Sequence, residues 1–285
     1  MPAGEGYLTT NDGVRLYFRT LGDGPKPVVI PNGIYLLDDF ERLARGRTLI
    51  AYDPRNRGLS QAGDPQKLAH GIHNDVDDLE AVRRYFGIDQ VDLIGHSYMG
   101  LMVILYALKH PDHVSRVVQI GAIQPNAAIE YPAHLTNNDG MVAEVFGKIA
   151  QMQREPGTDD PVELCRKFWA ILRVISVADP ADADRVNWGR CELPNERNFM
   201  RYWMGRILPS IQSLRLEKEV LAKVRTPVLT IHGRKDRSAP YGGACDWATQ
   251  LPNARLVTVD NAAHAPWIEA PEAVFRSIEA FLDGP

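Results

Sequence analysis

A short apolar run, a serine beside a glycine and a second apolar run follow one another at residues 91–108, VDLIGHSYMGLMVILYAL. The first run has the length of a buried strand and the second the length of a helix, so the pattern predicts a strand that turns sharply into a helix. Such a turn places the Ser97 hydroxyl at the tip of a sheet. The free N–H groups of the helix N-terminus then face any anion that forms beside it, which suits acyl transfer.

The motif departs from the usual G-x-S-x-G pattern at one position. Gly95 supplies the small residue two places before the serine, but Met99 stands two places after it and the second glycine comes one place later, at Gly100. A serine at this junction can also be a helix N-cap with no chemical role. The motif alone leaves both interpretations open, and it makes the fit of Met99 a structural question.

Short apolar segments alternate with helical patterns over most of the chain, which predicts an α/β fold with a mostly parallel sheet and helices on its faces. The alternation stops near residue 122, and helical patterns and bulky aromatic residues fill the next hundred positions. We therefore expect a core at residues 1–122, a helical cap insertion at 123–224 and the second part of the core at 225–285. Strands are predicted at 7–10, 14–19, 27–31, 48–52, 91–94, 114–121, 226–233 and 254–259, and cap helices at 141–154, 161–176 and 195–208.

Composition narrows the class of function. The formal net charge of -4 gives no sign of a nucleic-acid surface. Residues 1–6 lack the basic and apolar regions of a signal peptide and no later window has the length of a membrane span, so we expect a cytoplasmic protein that binds neither nucleic acid nor membrane. Oligomeric state is not encoded in any pattern we recognise, and a homodimer is left open.

The cysteines and other metal-ligating residues show no ordered spacing. Cys165, Cys191 and Cys245 are an odd number without a C-x-x-C pair, which favours free thiols over a disulfide framework or a zinc site. Groups of His, Cys, Asp and Glu with metal-ligand spacing are not found either. We expect neither a metal nor a cofactor.

A serine hydroxyl needs a base to take its proton, and the base needs an acid that fixes its tautomer. Asp236 and His264 each follow a predicted strand in the second half of the chain, in the order Ser, Asp, His of one known arrangement. Asp260 is a second candidate for the acid, but an aspartate at the end of a strand more often caps a turn. We favour Asp236.

Four motifs lie at the ends of predicted strands and cover the chain on both sides of the insertion. His96 and His232 within them are expected to brace their turns, and Arg55 and Arg57 to anchor their loop through backbone carbonyls, with a substrate-carboxylate role left open. The motifs are Gly95-His96-Ser97-Tyr98, Asp53-x-Arg55-x-x-Gly58-x-Ser60, His232-Gly233-x-x-Asp236 and Ala263-His264.

With these motifs the chain resembles the capped α/β-hydrolase fold enzymes, a group that includes proline iminopeptidase-like proteins, haloperoxidase-like esterases and lactonases. The resemblance implies an eight-stranded, mostly parallel sheet. It also implies Ser97 as nucleophile, His264 as general base and then acid, and Asp236 as the orienting carboxylate. The oxyanion hole would consist of the backbone N–H groups of Tyr98 and Ile34.

The loop after the first parallel strand departs from the family pattern, since Asn32-Gly33 replaces the usual His-Gly. Asn32 either hydrogen-bonds substrate or ties down its own loop. Most of the cap aromatics are expected to pack the cap onto the core, and a few to face the ligand. Trp203, together with Trp267 beside His264, is assigned to substrate binding.

The favoured function is a serine hydrolase that cleaves an ester or lactone of a small to medium, largely apolar molecule. A proline iminopeptidase-like aminopeptidase is the alternative, with Glu192 and Glu196 holding the substrate ammonium, although solvated surface glutamates account for this pair better. Tyr98, where such peptidases have tryptophan, also argues against it. A binding protein without catalysis is supported only by Met99 and Asn32, and aspartate-nucleophile dehalogenases and epoxide hydrolases are excluded by Ser97.

Overall fold

The computed structural model describes residues 4–137, 139–154, 160–197 and 199–284. Its eight strands form one sheet in the order β1-β2-β4-β3-β5-β6-β7-β8. The first two pairs in this order are antiparallel and the remaining pairs are parallel, which confirms the predicted mostly parallel sheet. The strands are β1 (Gly4–Thr9), β2 (Arg15–Leu21), β3 (Lys26–Pro31), β4 (Arg47–Tyr52), β5 (Val91–His96), β6 (Val114–Ile120), β7 (Val228–Gly233) and β8 (Ala254–Val259).

Helices cover both faces of this sheet, and each face has its own buried apolar cluster. The strands β4, β5 and β7 are buried along their whole length, as parallel strands between two helical layers must be. The α-helices are α1 (Gly33–Phe40), α2 (Ile72–Tyr85), α3 (Tyr98–Lys109), α4 (Met141–Arg154), α5 (Pro161–Leu172), α6 (Pro194–Arg197), α7 (Phe199–Tyr202), α8 (Leu208–Ser213), α9 (Lys218–Leu221), α10 (Tyr241–Gln250), α11 (Pro266–Glu269) and α12 (Pro271–Asp283).

The described residues between β6 and β7 form helices joined by loops and include no strand, and the limits 123 and 224 of the cap stay a prediction. The single helix predicted at 195–208 is divided into α6, α7, a π-helical turn at Trp203–Ile207 and α8. Pro209 has no N–H for the carbonyl four residues earlier, so a regular α-helix cannot continue through it. The helix predicted at 161–176 ends as α5, and a 3₁₀ turn covers Arg173–Ser176.

The prediction of free thiols is wrong for two of the three cysteines. Cys165 and Cys191 form a disulfide across 26 positions of the chain, with Cα atoms 5.8 Å apart, and Cys245 is free. The spacing of the two cysteines in the sequence does not predict that they lie close together, because they meet only when α5 folds back beside the segment that leads into α6. The bond ties these two parts of the cap together.

Over its described ranges the chain has no helix long and apolar enough to cross a bilayer. Disulfides are commoner in oxidising compartments than in the cytosol. The cytoplasmic location stays a prediction.

Candidate active site

Ser97 occupies the turn between β5 and α3 in a conformation that L-residues rarely adopt, with φ 58° and ψ -127°. Its N–H donates to the Ile120 carbonyl at 3.0 Å, and its own carbonyl accepts from Gly100 at 2.9 Å and Ile123 at 3.3 Å. These bonds hold the strained turn in place. The serine side chain makes no helix-cap hydrogen bond, so the N-cap interpretation does not account for it.

Two glycines, and not the residue at position 99, allow the strand and the helix to approach each other. A Cβ atom on Gly95 would lie 2.4 Å from the Met99 carbonyl oxygen, and one on Gly100 would lie 2.7 Å from the Ala122 Cβ. Met99 itself is buried in the apolar cluster on one face of the sheet. The late glycine therefore fills the place where smallness is required, and Met99 fits without opening the turn.

His264 and Asp236 meet at the end of β7 and β8. The His264 Nδ1 lies 2.8 Å from Asp236 Oδ2, and Asp236 Oδ1 accepts the N–H groups of Ser238 at 2.7 Å and Ala239 at 2.8 Å. Burial would raise the pKa of Asp236, but the charge of His264 and the hydrogen bonds from His264 and His232 outweigh it and hold that pKa well below its usual value. An ionised Asp236 accepts a proton-bearing Nδ1 and leaves the His264 Nε2 to act as a base.

Asp260, the second candidate for the orienting acid, is paired with an arginine and not with His264. Asp260 pairs with Arg234 at 2.9 Å and is 74% exposed, whereas the Asp236 side chain is fully buried. His232 lies behind Asp236, with its Nε2 3.0 Å from the Ala239 carbonyl and 3.3 Å from Asp236 Oδ2. His232 thus supports the loop that carries the acid.

His264 packs directly against the serine turn. The His96 Nε2 lies 2.9 Å from the His264 carbonyl, and the two rings have centroids 4.5 Å apart. Gly121, which follows β6, approaches so closely that a Cβ there would lie 3.1 Å from His264 Nδ1. Burial and the charge of His264 hold the pKa of His96 well below its usual value. The His96 ring is therefore neutral, and it supports the loop that carries His264, which we call the histidine loop.

The predicted oxyanion loop differs from the expected geometry at Ile34. Its N–H donates to Asp53 Oδ1 at 2.9 Å, and the N–H of Leu59 donates to Asp53 Oδ2 at 3.0 Å. Burial raises the pKa of Asp53 to about 6, against the effect of these two bonds. Because α1 begins at Gly33, Ile34 lies in its first turn, where an N–H lacks an intrahelical partner and the carboxylate at the end of β4 binds it.

Asn32 precedes α1 in the left-handed region, with φ 66° and ψ 44°. Its side chain makes no helix-cap bond, and the buried Oδ1 has no hydrogen-bond partner among the described residues. The side-chain oxygen of Asn32 therefore does not tie down its own loop.

The tryptophans predicted to bind substrate occupy different positions. Trp203 of the cap makes an edge contact with Tyr98, at 5.3 Å between ring centroids. Trp267 is buried behind His96, at 4.8 Å, and its Nε1 donates to Asp39 Oδ2 at 2.8 Å. Sequence reasoning did not single out Trp188, whose ring lies 5.4 Å from that of His96 and 6.4 Å from that of His264.

A buried ion pair joins the cap to the core and corrects the assignment of Glu196 as a solvated surface residue. Glu196 is 2% exposed, and its Oε1 accepts from Arg57 Nε at 3.2 Å and from the Gly58 N–H at 2.8 Å. Tyr35 also donates to this carboxylate. Glu192 is exposed and pairs with Arg190 at 2.6 Å, so the two glutamates do not form a common site.

A cleft of about 340 Å³ lies on the other side of the Asp53 loop, between the edge of the sheet and the cap. Neither the serine turn nor the histidine loop contributes to its walls. Within the described ranges, no cluster of three or more His, Cys, Asp or Glu residues could hold a metal ion. The cleft is lined by Glu5, Tyr17, Arg19, Gly33, Ile34, Leu37, Asp38, Ala51, Asp53, Leu59, Arg190 and Leu193.

Known proteins are similar to this chain over nearly its whole length. A family model described as the alpha/beta hydrolase fold matches residues 26–271. A bifunctional esterase/perhydrolase of Acinetobacter calcoaceticus is 26% identical over 97% of this chain and 99% of its own length. A rhodomycin D methylesterase of Streptomyces peucetius is 28% identical over 96% of each chain.

Similarity of fold extends to a solved esterase structure. The esterase from Exiguobacterium antarcticum superposes with a TM-score of 0.73 at 19% identity, over 98% of this chain and 99% of the other. At that identity the superposition speaks for the fold alone.

Proposed function

Because the chain belongs to the α/β-hydrolase fold family, we propose that it is a serine hydrolase that cleaves a carboxylic ester or lactone of a small to medium, largely apolar molecule. The observation that carries the proposal is the His264–Asp236 hydrogen bond of 2.8 Å, beside the strained turn that presents Ser97. The named activities of the esterase and methylesterase relatives support ester cleavage.

The proposed reaction has two stages. Ser97 Oγ attacks the carbonyl carbon while His264 Nε2 takes its proton, and the collapse of the tetrahedral intermediate expels the alcohol, which receives that proton. Water then attacks the acyl-enzyme, gives a proton to His264 and releases the acid as the proton returns to Ser97. Asp236 stays ionised throughout and stabilises the imidazolium that forms in each stage.

Two donors are proposed for the oxyanion. Tyr98 is the first residue of α3, so its N–H has no intrahelical partner by position and lies at the positive end of the helix dipole. Ile34 supplies the second donor if its N–H moves from Asp53 to the substrate, and the unpaired side chain of Asn32 is proposed to hydrogen-bond the substrate. Each such donor contributes on the order of 3 kcal/mol to transition-state stabilisation.

Aromatic side chains supply the apolar walls in this proposal. Trp203 contacts Tyr98, and Trp188 contacts His264, so both approach the reacting residues from the cap. Trp267 would act by supporting His96. The aminopeptidase alternative loses its acidic pair, because Glu196 is bound by Arg57 and Glu192 by Arg190.

Hydrolysis of p-nitrophenyl butyrate by wild type and Ser97→Ala tests the mechanism. We expect Ser97→Ala to lower kcat/KM by a factor on the order of 10⁴ or more. Ser115→Ala is the matched control, since Ser115 lies at the opposite end of β6 from the site, and it should retain wild-type activity. Mass spectrometry after reaction with a fluorophosphonate should place a single adduct on Ser97, and full activity in Ser97→Ala would refute the nucleophile.

A further inference from the structure

Trp188 lies where the cap reaches the proposed catalytic residues. Its ring centroid is 5.4 Å from that of His96, 6.4 Å from that of His264 and 6.1 Å from that of Tyr35. Because Tyr35 follows Ile34, the proposed second oxyanion donor, the indole spans the distance from the proposed base to the start of α1. Trp188 is only partly buried, so part of its apolar surface remains available to a ligand.

The chain around Trp188 is held by one face of α5. Residues 186–193, all of them described, form neither helix nor strand, so this Trp188 segment depends on other elements for its position. Three side chains at intervals of four residues contact it, and such an interval places them on one face of a helix. They are Cys165, Trp169 and Arg173, the last in the 3₁₀ turn that continues α5.

Two of these contacts are non-covalent and lie on either side of Trp188. Arg173 Nη1 donates to the Val186 carbonyl at 3.1 Å, two residues before the tryptophan. Gly189, with φ 88°, directly follows the tryptophan and lies so close to the Trp169 ring that a Cβ atom would overlap it. The backbone on both sides of Trp188 is therefore fixed to α5, while its ring contacts the core.

The third contact is the Cys165–Cys191 disulfide, which holds the chain three residues after Trp188. A covalent bond restricts the segment more strongly than a hydrogen bond or a ring contact, because thermal motion does not break it. Without it, one hydrogen bond and one packing contact would remain between α5 and the Trp188 segment. The disulfide is therefore the contact whose loss should displace Trp188 most.

The proposed mechanism indicates which part of the substrate Trp188 faces. His264 Nε2 gives its proton to the departing alcohol, so the alcohol part of an ester leaves beside this histidine. The acyl group extends from the carbonyl carbon in a different direction. A ring beside His264 therefore limits the size of the alcohol more than the size of the acyl group.

We propose that the Cys165–Cys191 disulfide holds Trp188 beside His264 as a wall that limits the size of the alcohol part of the substrate, so that this selectivity depends on the redox state of the two cysteines. The inference rests on the proposed ester hydrolysis. A dithiol reduces the bond by two exchange steps, which leave two protein thiols and convert the reagent into a cyclic disulfide. Both cysteines are buried, so reduction follows transient opening of the cap.

Esters that differ only in the alcohol test the wall. The ratio of kcat/KM for neopentyl butyrate to that for methyl butyrate should rise at least about tenfold in Trp188→Ala and stay within about threefold of wild type in Trp188→Phe, which keeps a ring. The ratio for methyl octanoate to methyl butyrate varies the acyl group and should not change. Such ratios do not depend on the fraction of folded enzyme. An unchanged alcohol ratio, or equal changes in both ratios, overturns the wall.

Reduction tests the role of the disulfide. Alkylation and mass spectrometry of protein prepared without reductant should find one free thiol, that of Cys245. The alcohol ratio should rise at least about threefold in wild type reduced with dithiothreitol and in the double variant Cys165→Ser, Cys191→Ser. Cys245→Ser is the matched control and should keep both the wild-type ratio and its response to reductant. All three thiols free before reduction, or a wild-type ratio in the double variant, refutes this role.

Tryptophan fluorescence separates the inference from the proposed hydrolase function. The spectrum of wild type minus that of Trp188→Phe reports the emission of Trp188, and its maximum should shift to longer wavelength on reduction as the indole becomes more exposed. If wild type cleaves no ester, the hydrolase function fails, while this difference spectrum still decides whether the disulfide holds Trp188. A maximum that stays in place in the reduced protein would show that it does not.

Discussion

Two buried carboxylates differ in how completely they are paired. On the paired side, the Asp236 carboxylate is bound by His264 and by two backbone N–H groups. On the other side, the equally buried Asp75 carboxylate of α2 has no hydrogen-bond partner among the described residues. The carboxylate that the proposed reaction needs is therefore held in place before substrate arrives, whereas the other has no hydrogen bond to fix it.

The two carboxylates also show that burial alone does not decide the charge state of an acid. Both side chains are removed from water, which disfavours ionisation in both. The histidines beside Asp236 reverse the effect and lower its pKa, whereas at Asp75 the neighbouring Asp78 adds to it and the pKa is raised well above its usual value. Partners, and not depth, separate the pKa of the proposed catalytic carboxylate from that of Asp75.

The largest expected effect comes from breaking the paired side. Asp236→Asn should lower kcat/KM for p-nitrophenyl butyrate by a factor on the order of 10³ to 10⁴, because the amide neither fixes the His264 tautomer nor stabilises its charge. Asp260→Asn removes the exposed carboxylate that precedes His264 most closely in the sequence, and this variant should retain wild-type activity. If the two variants exchanged these outcomes, Asp260 would be the orienting acid.

Much of the paired side could be predicted from the sequence, because short motifs carry it. The run around Ser97 predicts its own turn, and the residues that follow β7 and β8 place Asp236 and His264 at one edge of the sheet. The alternation of short apolar segments with helical patterns likewise predicts the mostly parallel sheet. Each of these inferences depends on neighbours in sequence or on the fixed geometry of parallel strands.

The other features depend on side chains that meet across long stretches of chain. Cys165 and Cys191 approach through the folding of the cap, and Glu196 reaches Arg57 from a helix 139 positions away. Periodicity predicts a helix but not which residue of another helix it will face. The Asp53–Ile34 bond was missed for the same reason, since only the start of α1 at Gly33 turns that N–H toward β4.

The ion pair between cap and core gives the next largest effect. Glu196→Gln should lower the free energy of unfolding by about 3–5 kcal/mol, because it leaves Arg57 buried without its countercharge. Glu192→Gln, in the exposed pair with Arg190, should change it by less than about 1 kcal/mol. Urea unfolding followed by tryptophan fluorescence measures both. Equal effects would mean that burial of the Arg57 pair contributes nothing, and the cap would then be held by its apolar contacts alone.

The smallest and most specific effect is the pH dependence of stability, which has opposite signs for Asp236 and Asp75. The lowered pKa of Asp236 adds stability above the unfolded pKa near 3.8, and that contribution is lost as pH falls. The raised pKa of Asp75 favours the fold only while the carboxyl is protonated, so its contribution is present below the unfolded pKa and is lost as pH rises through the folded value. Asp75→Asn should therefore gain stability over wild type progressively from pH 4 to pH 8 in urea unfolding, while Asp77→Asn, in an exposed pair with Lys109 on the same helix, should follow wild type. A difference that is constant with pH would mean that the pKa of Asp75 is the same in the folded and the unfolded protein, which would remove the contrast with Asp236.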